Sequence, residues 1–253
     1  MVLPFIVNAM KPYTPISSAS TTFLVFAMKY RSETPPRRTG RPLSFDRAAA
    51  LRAAMLTFWR YGYETCSVAD LTAAMGVNAP SLYAAFGDKK RLFLEAMHLY
   101  AGDPDELARA INDAPTACEA ARTFMTAAAT RYTGEATPRG CLLASATASG
   151  SAASADVQAA VTKVRSRMRS LLRKRIERDV ASGVLPPETQ AEQFANLTVA
   201  VTQGMSVLAR DGASRDQLLS IAEAAMDAWP CLPPRKPVSR RTPARAKRLM
   251  PHS

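Results

Sequence analysis

An all-α fold is predicted, with an N-terminal three-helix unit and a larger C-terminal helical part. Three observations predict it. Apolar residues recur at helical spacing along nearly every segment. Alanine is abundant and β-branched runs are short, in a chain of 253 residues with 47% hydrophobic content. Between Ser67 and Lys89 the punctuation of two short helices around a tight turn is written out in caps and breakers.

Taken in order, residues 1–27 hold Pro4, Pro12, Pro15 and a Ser/Thr cluster at 17–22, with no periodic element. They are expected to be an overextended start ahead of Met28 or a disordered leader. The apolar run Phe23 to Met28 is far too short to span a bilayer. Arg37, Arg38, Gly40, Arg41 and Pro42 form an extended basic arm, since a residue before proline leaves the helical region. From about 44 to 61, Leu51, Ala54, Met55, Phe58 and Trp59 make a continuous apolar stripe, a platform on which two short helices can pack.

Ser67 is the natural cap of the next helix, with Asp70 completing an acidic capping box. Gly76 closes that helix, Val77 fills the turn, and Asn78 caps a second helix whose Pro80 lies in the first turn, where a missing N–H costs nothing. Leu82 and Phe86 face inward; Ser81, Tyr83, Ala84 and Ala85 lie on the outer side. A further helix at 91–100 carries Leu92, Phe93, Ala96, Met97 and Tyr100 along one side. Gly102, Asp103 and Pro104 break it, which puts a domain boundary at 101–104.

Beyond the boundary, helices are expected at about 115–133, 138–149, 156–182, 188–210 and 214–229. The arginines on the long 156–182 helix read as a solvated face. The last two helices carry Phe194, Leu197, Val201, Met205 and Leu208, then Leu218, Ile221, Ala222, Ala225 and Trp229, as apolar stripes. Residues 231–253, proline-broken with seven basic and no acidic residues, are expected to be a disordered tail. The domains are therefore 1–43 (leader and arm), 44–101, 104–230, and the 231–253 tail.

Net charge is +12, and its excess lies at the flanks: residues 101–230 carry fourteen basic and fifteen acidic residues. A polyanion partner fits that distribution. Cys66, Cys118, Cys141 and Cys231 form no C-x-x-C pair, and only His98 and His252 could join them. Neither a zinc site nor a disulfide framework is expected, and reduced, cytoplasmic thiols are the default. With no phosphate loop, metal cluster or nucleophile–base constellation, neither an enzyme nor a cofactor is expected. A helical scaffold or adaptor without sequence-specific DNA binding is the competing class.

The stretch FWRYGYETCSVADLTAAMGVNAPSLYAAFGDKKRLF resembles the N-terminal domain of the TetR/AcrR family of bacterial transcription regulators, over about residues 44–100. The likeness rests on Phe58, Gly62 and Tyr63, on Thr65, on Ser81-Leu82-Tyr83 with Phe86, and on Lys89. It implies a helix-turn-helix DNA-binding domain joined to a regulatory and dimerisation domain, and a repressor released by a small effector. It also implies a homodimer on double-stranded DNA, built through the helices at 188–210 and 214–229.

By that resemblance Thr65, Ser67, Tyr83 and Lys89 grip phosphates, while the small side chains of Asn78, Ala79, Ser81 and Ala84 suit apolar contact with thymine methyls or single hydrogen bonds to bases. Helix N-termini at Ser67 and Asn78 suit phosphate on physical grounds as well. Arg37, Arg38 and Arg41 would enter the minor groove. The effector pocket, placed among the regulatory helices, would take in Met97, Tyr100, Phe124, Cys141, Met168 and Leu172, whose character favours a largely apolar molecule. Cys141 is either a thiol sensor or an inert buried cysteine.

Overall fold

The computed structural model describes residues 45–146 and 154–231. The leader, the arginine arm and the basic tail beyond Cys231 lie outside them. Regular structure among the described residues is helical: α1 (Arg47–Tyr61), α2 (Val68–Met75), α3 (Ala79–Phe86), α4 (Lys89–Ala101), α5 (Pro104–Asp113), α6 (Ala117–Tyr132), α7 (Leu142–Ser145), α8 (Ala155–Ala181), α9 (Ala191–Arg210) and α10 (Arg215–Met226). None is long and apolar enough to cross a membrane.

The stripe on α1 becomes the centre of the N-terminal unit. Ala54 and Phe58 are fully buried, with Trp59 and Met55 close behind, and α1 packs against both α2 and α4. Phe93 of α4 meets the Phe58 ring edge-on at 5.1 Å. Such a pair adds geometric preference to its area burial. The α1 start is set by Asp46, whose carboxylate accepts from the Ala48 and Ala49 amides.

Helix α4 runs from this unit into the larger one and touches α7 and α8. There α6, α8, α9 and α10 pack on one another, with α6 in contact with all three others. Helix α5 departs from expectation. The sequence suggests a break at Asp103-Pro104, yet Asp103 caps α5 and Pro104 occupies its first turn, where proline is pre-organised for helix.

Three further expectations are corrected. Arg175 does not belong to a solvated face: it and Asp179 are buried side by side at 3.3 Å. Asp179 also accepts from the Ala117 amide at 2.6 Å, and Arg175 donates to the Asn112 carbonyl, so the pair fixes the entry to α6. On α9, the buried face consists of Ala195, Thr198, Val199, Thr202, Met205, Ser206 and Ala209. Leu208 and Val207 are exposed. Last, Cys118 and Cys231 form a disulfide across 113 residues. Packing of α10 on α6 brings them together, which no local spacing could announce.

Breaking a buried ion pair leaves an uncompensated charge, so Asp179→Ala should lower the free energy of unfolding by about 3–5 kcal/mol. Arg173→Ala, which removes an exposed pairing with Glu177, should change it by less than about 1 kcal/mol. Urea denaturation followed by circular dichroism measures both.

Candidate nucleic-acid interface

The turn between α2 and α3 is built from short-range chemistry. Ser67 caps α2 reciprocally with Asp70: its hydroxyl oxygen accepts from the Asp70 amide at 3.1 Å, and the Ser67 amide donates to the Asp70 carboxylate at 2.8 Å. The hydroxyl also donates to that carboxylate at 2.6 Å. Gly76 ends the helix in the left-handed region at φ 65°, ψ 32°. A Cβ there would meet nothing within 4 Å, so glycine is required for the backbone conformation and not for space. The Val77 amide closes the turn on the Thr72 carbonyl at 3.1 Å.

Helix α3 then starts from Asn78, whose side-chain oxygen accepts from the Ser81 amide at 2.8 Å. Its two faces divide sharply. Leu82 and Phe86 are buried, while Tyr83 is 48% exposed. Asn78 and Ala84 are also exposed, and Ala79 and Ser81 half-buried, so the outer face offers a short row of small and polar groups with one phenol. Thr65 and Ser67 are exposed at the start of α2, beside α3. Thr65 donates its hydroxyl to the Tyr61 carbonyl.

Lys89 is more engaged than a free cation at the edge. Its ammonium stands 4.6 Å from the Tyr63 ring centroid and 3.4 Å from the Glu64 carbonyl. Arg47 escaped the sequence reading. It forms an ion pair with Glu95 at 2.7 Å, lies 4.3 Å over the Phe86 ring and donates to the Ala85 carbonyl, clamping the end of α3 to α1 and α4. No local spacing signals a contact 48 residues away.

The reading unit is stitched to the larger domain at Trp59. The indole N–H donates to the Gly140 carbonyl at 3.0 Å, and its ring meets Tyr100 edge-on at 4.8 Å. The Trp59 carbonyl accepts from Arg210 at 2.8 Å and from the Ser145 hydroxyl at 3.4 Å. Gly140 has φ 80°, and a Cβ would come within 2.8 Å of the Ser206 carbonyl oxygen. Next to it, Cys141 receives the Tyr100 hydroxyl on its sulfur at 3.3 Å, and its amide donates to Ser206 at 2.8 Å. The Arg131 guanidinium covers the phenol ring of this cluster, 3.8 Å from the Tyr100 centroid.

Of the six residues expected in an effector pocket, Met97, Tyr100, Cys141 and Leu172 are buried, and Phe124 and Met168 half-buried. They do not line either of two surface hollows beside the N-terminal unit. One, of about 650 Å³, lies between α1 and α2 and includes Leu56, Tyr61, Thr65 and Asp70. The other, of about 310 Å³, is lined by Arg60, Pro138, Arg139 and Arg210. No cluster of His, Cys, Asp and Glu suited to a metal occurs among the described residues.

Burial pushes the Cys66 thiol up to about 11, leaving it an unreactive core sulfur. The Ser67 hydroxyl and amide hold the Asp70 carboxyl below its ordinary 3.8, and the Ala49 and Ala48 amides do the same for Asp46. Both are lower in the folded state, so their stabilisation is complete above about pH 3.8 and disappears as pH falls through the folded values. An acid titration by circular dichroism should therefore show helix loss steepening below pH 3.8, and a less steep profile in Asp70→Ala.

The model of bacterial regulatory proteins of the tetR family matches residues 50–96, and that of the tetracyclin repressor-like C-terminal domain matches 117–225. The chain is 35% identical over 197 residues to the HTH-type transcriptional repressor ComR of Escherichia coli strain K12, covering 76% of this chain and 92% of the relative. It is 30% identical over 198 residues to the repressor BdcR of the same strain, covering 76% and 93%. Among solved structures, it is similar to a cysteine-substituted form of the TetR family transcriptional regulator CifR complexed with 26-bp double-stranded operator DNA. That similarity has 40% identity and a TM-score of 0.71 over 76% of this chain and all of that one.

Proposed function

This chain belongs to the tetR family of bacterial regulatory proteins, DNA-binding regulators of transcription rather than enzymes, and on that premise we propose a ligand-responsive repressor that holds a palindromic operator as a homodimer. Residues 44–101 are the reading domain and 104–230 the effector and dimerisation domain. The observation that carries the reading is the division of α3: two buried anchors lock the helix, and Asn78, Ala79, Ser81 and Tyr83 are left facing out. Tyr83, Thr65, Ser67 and Lys89 take phosphates; Asn78, Ala79 and Ser81 lie at the base edges. The arm of Arg37, Arg38 and Arg41 lies in the minor groove.

The dimer reading is supported by α9. Ala200, Gly204, Val207 and Leu208 form an exposed apolar strip, and a Cβ on Gly204 would meet nothing within 4 Å. An uncovered strip of small and branched residues suits a second copy of α9 and α10. The effector is small and largely apolar and enters among α4, α6, α8 and the start of α7, where Met97, Tyr100, Phe124, Cys141, Met168 and Leu172 lie. It parts packed side chains, and the strain reaches α4 and Trp59. A second reading makes the effector an electrophile that adds to Cys141, at whose sulfur the Tyr100 phenol O–H is directed.

A gel shift with DNA from upstream of the protein's own gene tests the main reading. Retardation should occur, and Tyr83→Ala should weaken it about tenfold with the salt slope unchanged, because a neutral phenol displaces no counterion. Failure to shift that DNA at any ionic strength favours the adaptor class. Leu208→Glu should return monomer mass in light scattering, with the helical content of the wild type. If Cys141→Ser keeps operator binding but no longer releases DNA on quinone treatment, the electrophile reading holds; unchanged release rejects it.

A further inference from the structure

We propose that Cys118 and Cys231 are a reversible thiol–disulfide exchange site that sets how firmly α10 is seated, and through it the strength of self-association. The inference rests on the dimer reading given above. Both cysteines lie at one joint. Cys118 is in the first turn of α6, immediately after Ala117, whose amide is held by the buried Asp179 carboxylate. Cys231 follows the end of α10 by five residues and donates its amide to the Trp229 carbonyl at 2.8 Å. The bond therefore ties the exit of α10 to a turn that α8 already fixes.

Two features make this tie consequential. The Trp229 ring is buried against Phe194 of α9, with centroids 5.0 Å apart, but its indole N–H is buried without a hydrogen-bond partner among the described residues. An unpaired buried donor disfavours its own seat. The disulfide, closing 113 residues, offsets that cost by limiting where the released segment can go. Trp229 also lies against α9, which carries the exposed strip, so loosening it disturbs the surface that the second copy would cover.

The chemistry is asymmetric in access. Cys231 is exposed, and Cys118 is buried at 7%. A low-molecular-weight thiolate attacks the Cys231 sulfur, the S–S bond breaks, and its electron pair leaves on the Cys118 sulfur, which takes up a proton. A second thiol then attacks the small-molecule sulfur of the mixed disulfide. Cys231 leaves as a thiol, and one low-molecular-weight disulfide is released. Two thiols are thereby oxidised as the protein disulfide is reduced. The reverse sequence, with a low-molecular-weight disulfide as oxidant, closes the bond again.

The full chain is equilibrated in glutathione buffers from reducing to oxidising, and its thiols are counted by alkylation and intact mass. Dimer dissociation constants follow from sedimentation equilibrium in each state. The expected result is one reversible intramolecular disulfide and a dimer at least about tenfold tighter when oxidised, with Cys231→Ser and Cys118→Ser both indifferent to the buffer. Cys231→Ser, at an exposed position, keeps the comparison valid if Cys118→Ser folds poorly. No disulfide at any poise, or a bond between two chains, overturns the proposal. Dimer in both states with one dissociation constant overturns the switch alone, and monomer in both states overturns the dimer reading and the switch together.

Discussion

Most of the architecture depends on where Trp59 is held. This side chain ends the apolar stripe of α1, and its indole reaches out of the reading unit to the Gly140 carbonyl while its ring packs edge-on against Tyr100. Its own carbonyl receives Arg210 from α9 and Ser145 from α7. One residue thus receives contacts from α4, α7, α9 and the loop before α7. A buried side chain with satisfied polar atoms has few alternative positions, so movement among the regulatory helices must be transmitted through it or break it. Gly140 makes the arrangement sterically possible, because any side chain there would strike the α9 backbone.

The reading helix hangs from that joint as a rigid insert. Its rigidity is local: caps at Ser67 and Asn78, a left-handed glycine, two inward anchors on α3 and the Arg47 clamp. Each of these contacts is made within the N-terminal unit. The larger domain can govern the placement of the insert, through α4 and α1, without remaking its shape. Such a division lets one reading geometry be coupled to different effectors.

Local interactions are legible in the sequence and distant ones are not. The capping box, the Gly76 turn, the Asn78 cap and the burial of Leu82 and Phe86 follow from residues within four positions of one another, which a sequence displays directly. Helix α5 is missed although its signal is present, since Asp103-Pro104 opens a helix as readily as it ends one. Arg175 looks solvated because its neighbours are arginines, yet Asp179 four residues on is the sign of a pair. Hydrophobicity alone misplaces the α9 stripe, because threonine, serine and alanine take most of the buried side and leave Val207 and Leu208 outside. The disulfide and the Trp59 bond join residues 113 and 81 apart, and no periodicity encodes such meetings.

The chain has two tryptophans, and their positions coincide with its two joints. Trp59 marks the seam between reading unit and regulatory helices; Trp229 marks the seat of α10 beside the Cys118–Cys231 bond. Both indoles are buried, one with its N–H satisfied and one without a partner among the described residues. Opening either seam would expose an indole to water and move its fluorescence emission to longer wavelength, and replacing one tryptophan by phenylalanine would separate the two signals. The molecule therefore carries an intrinsic optical gauge at each of its two joints.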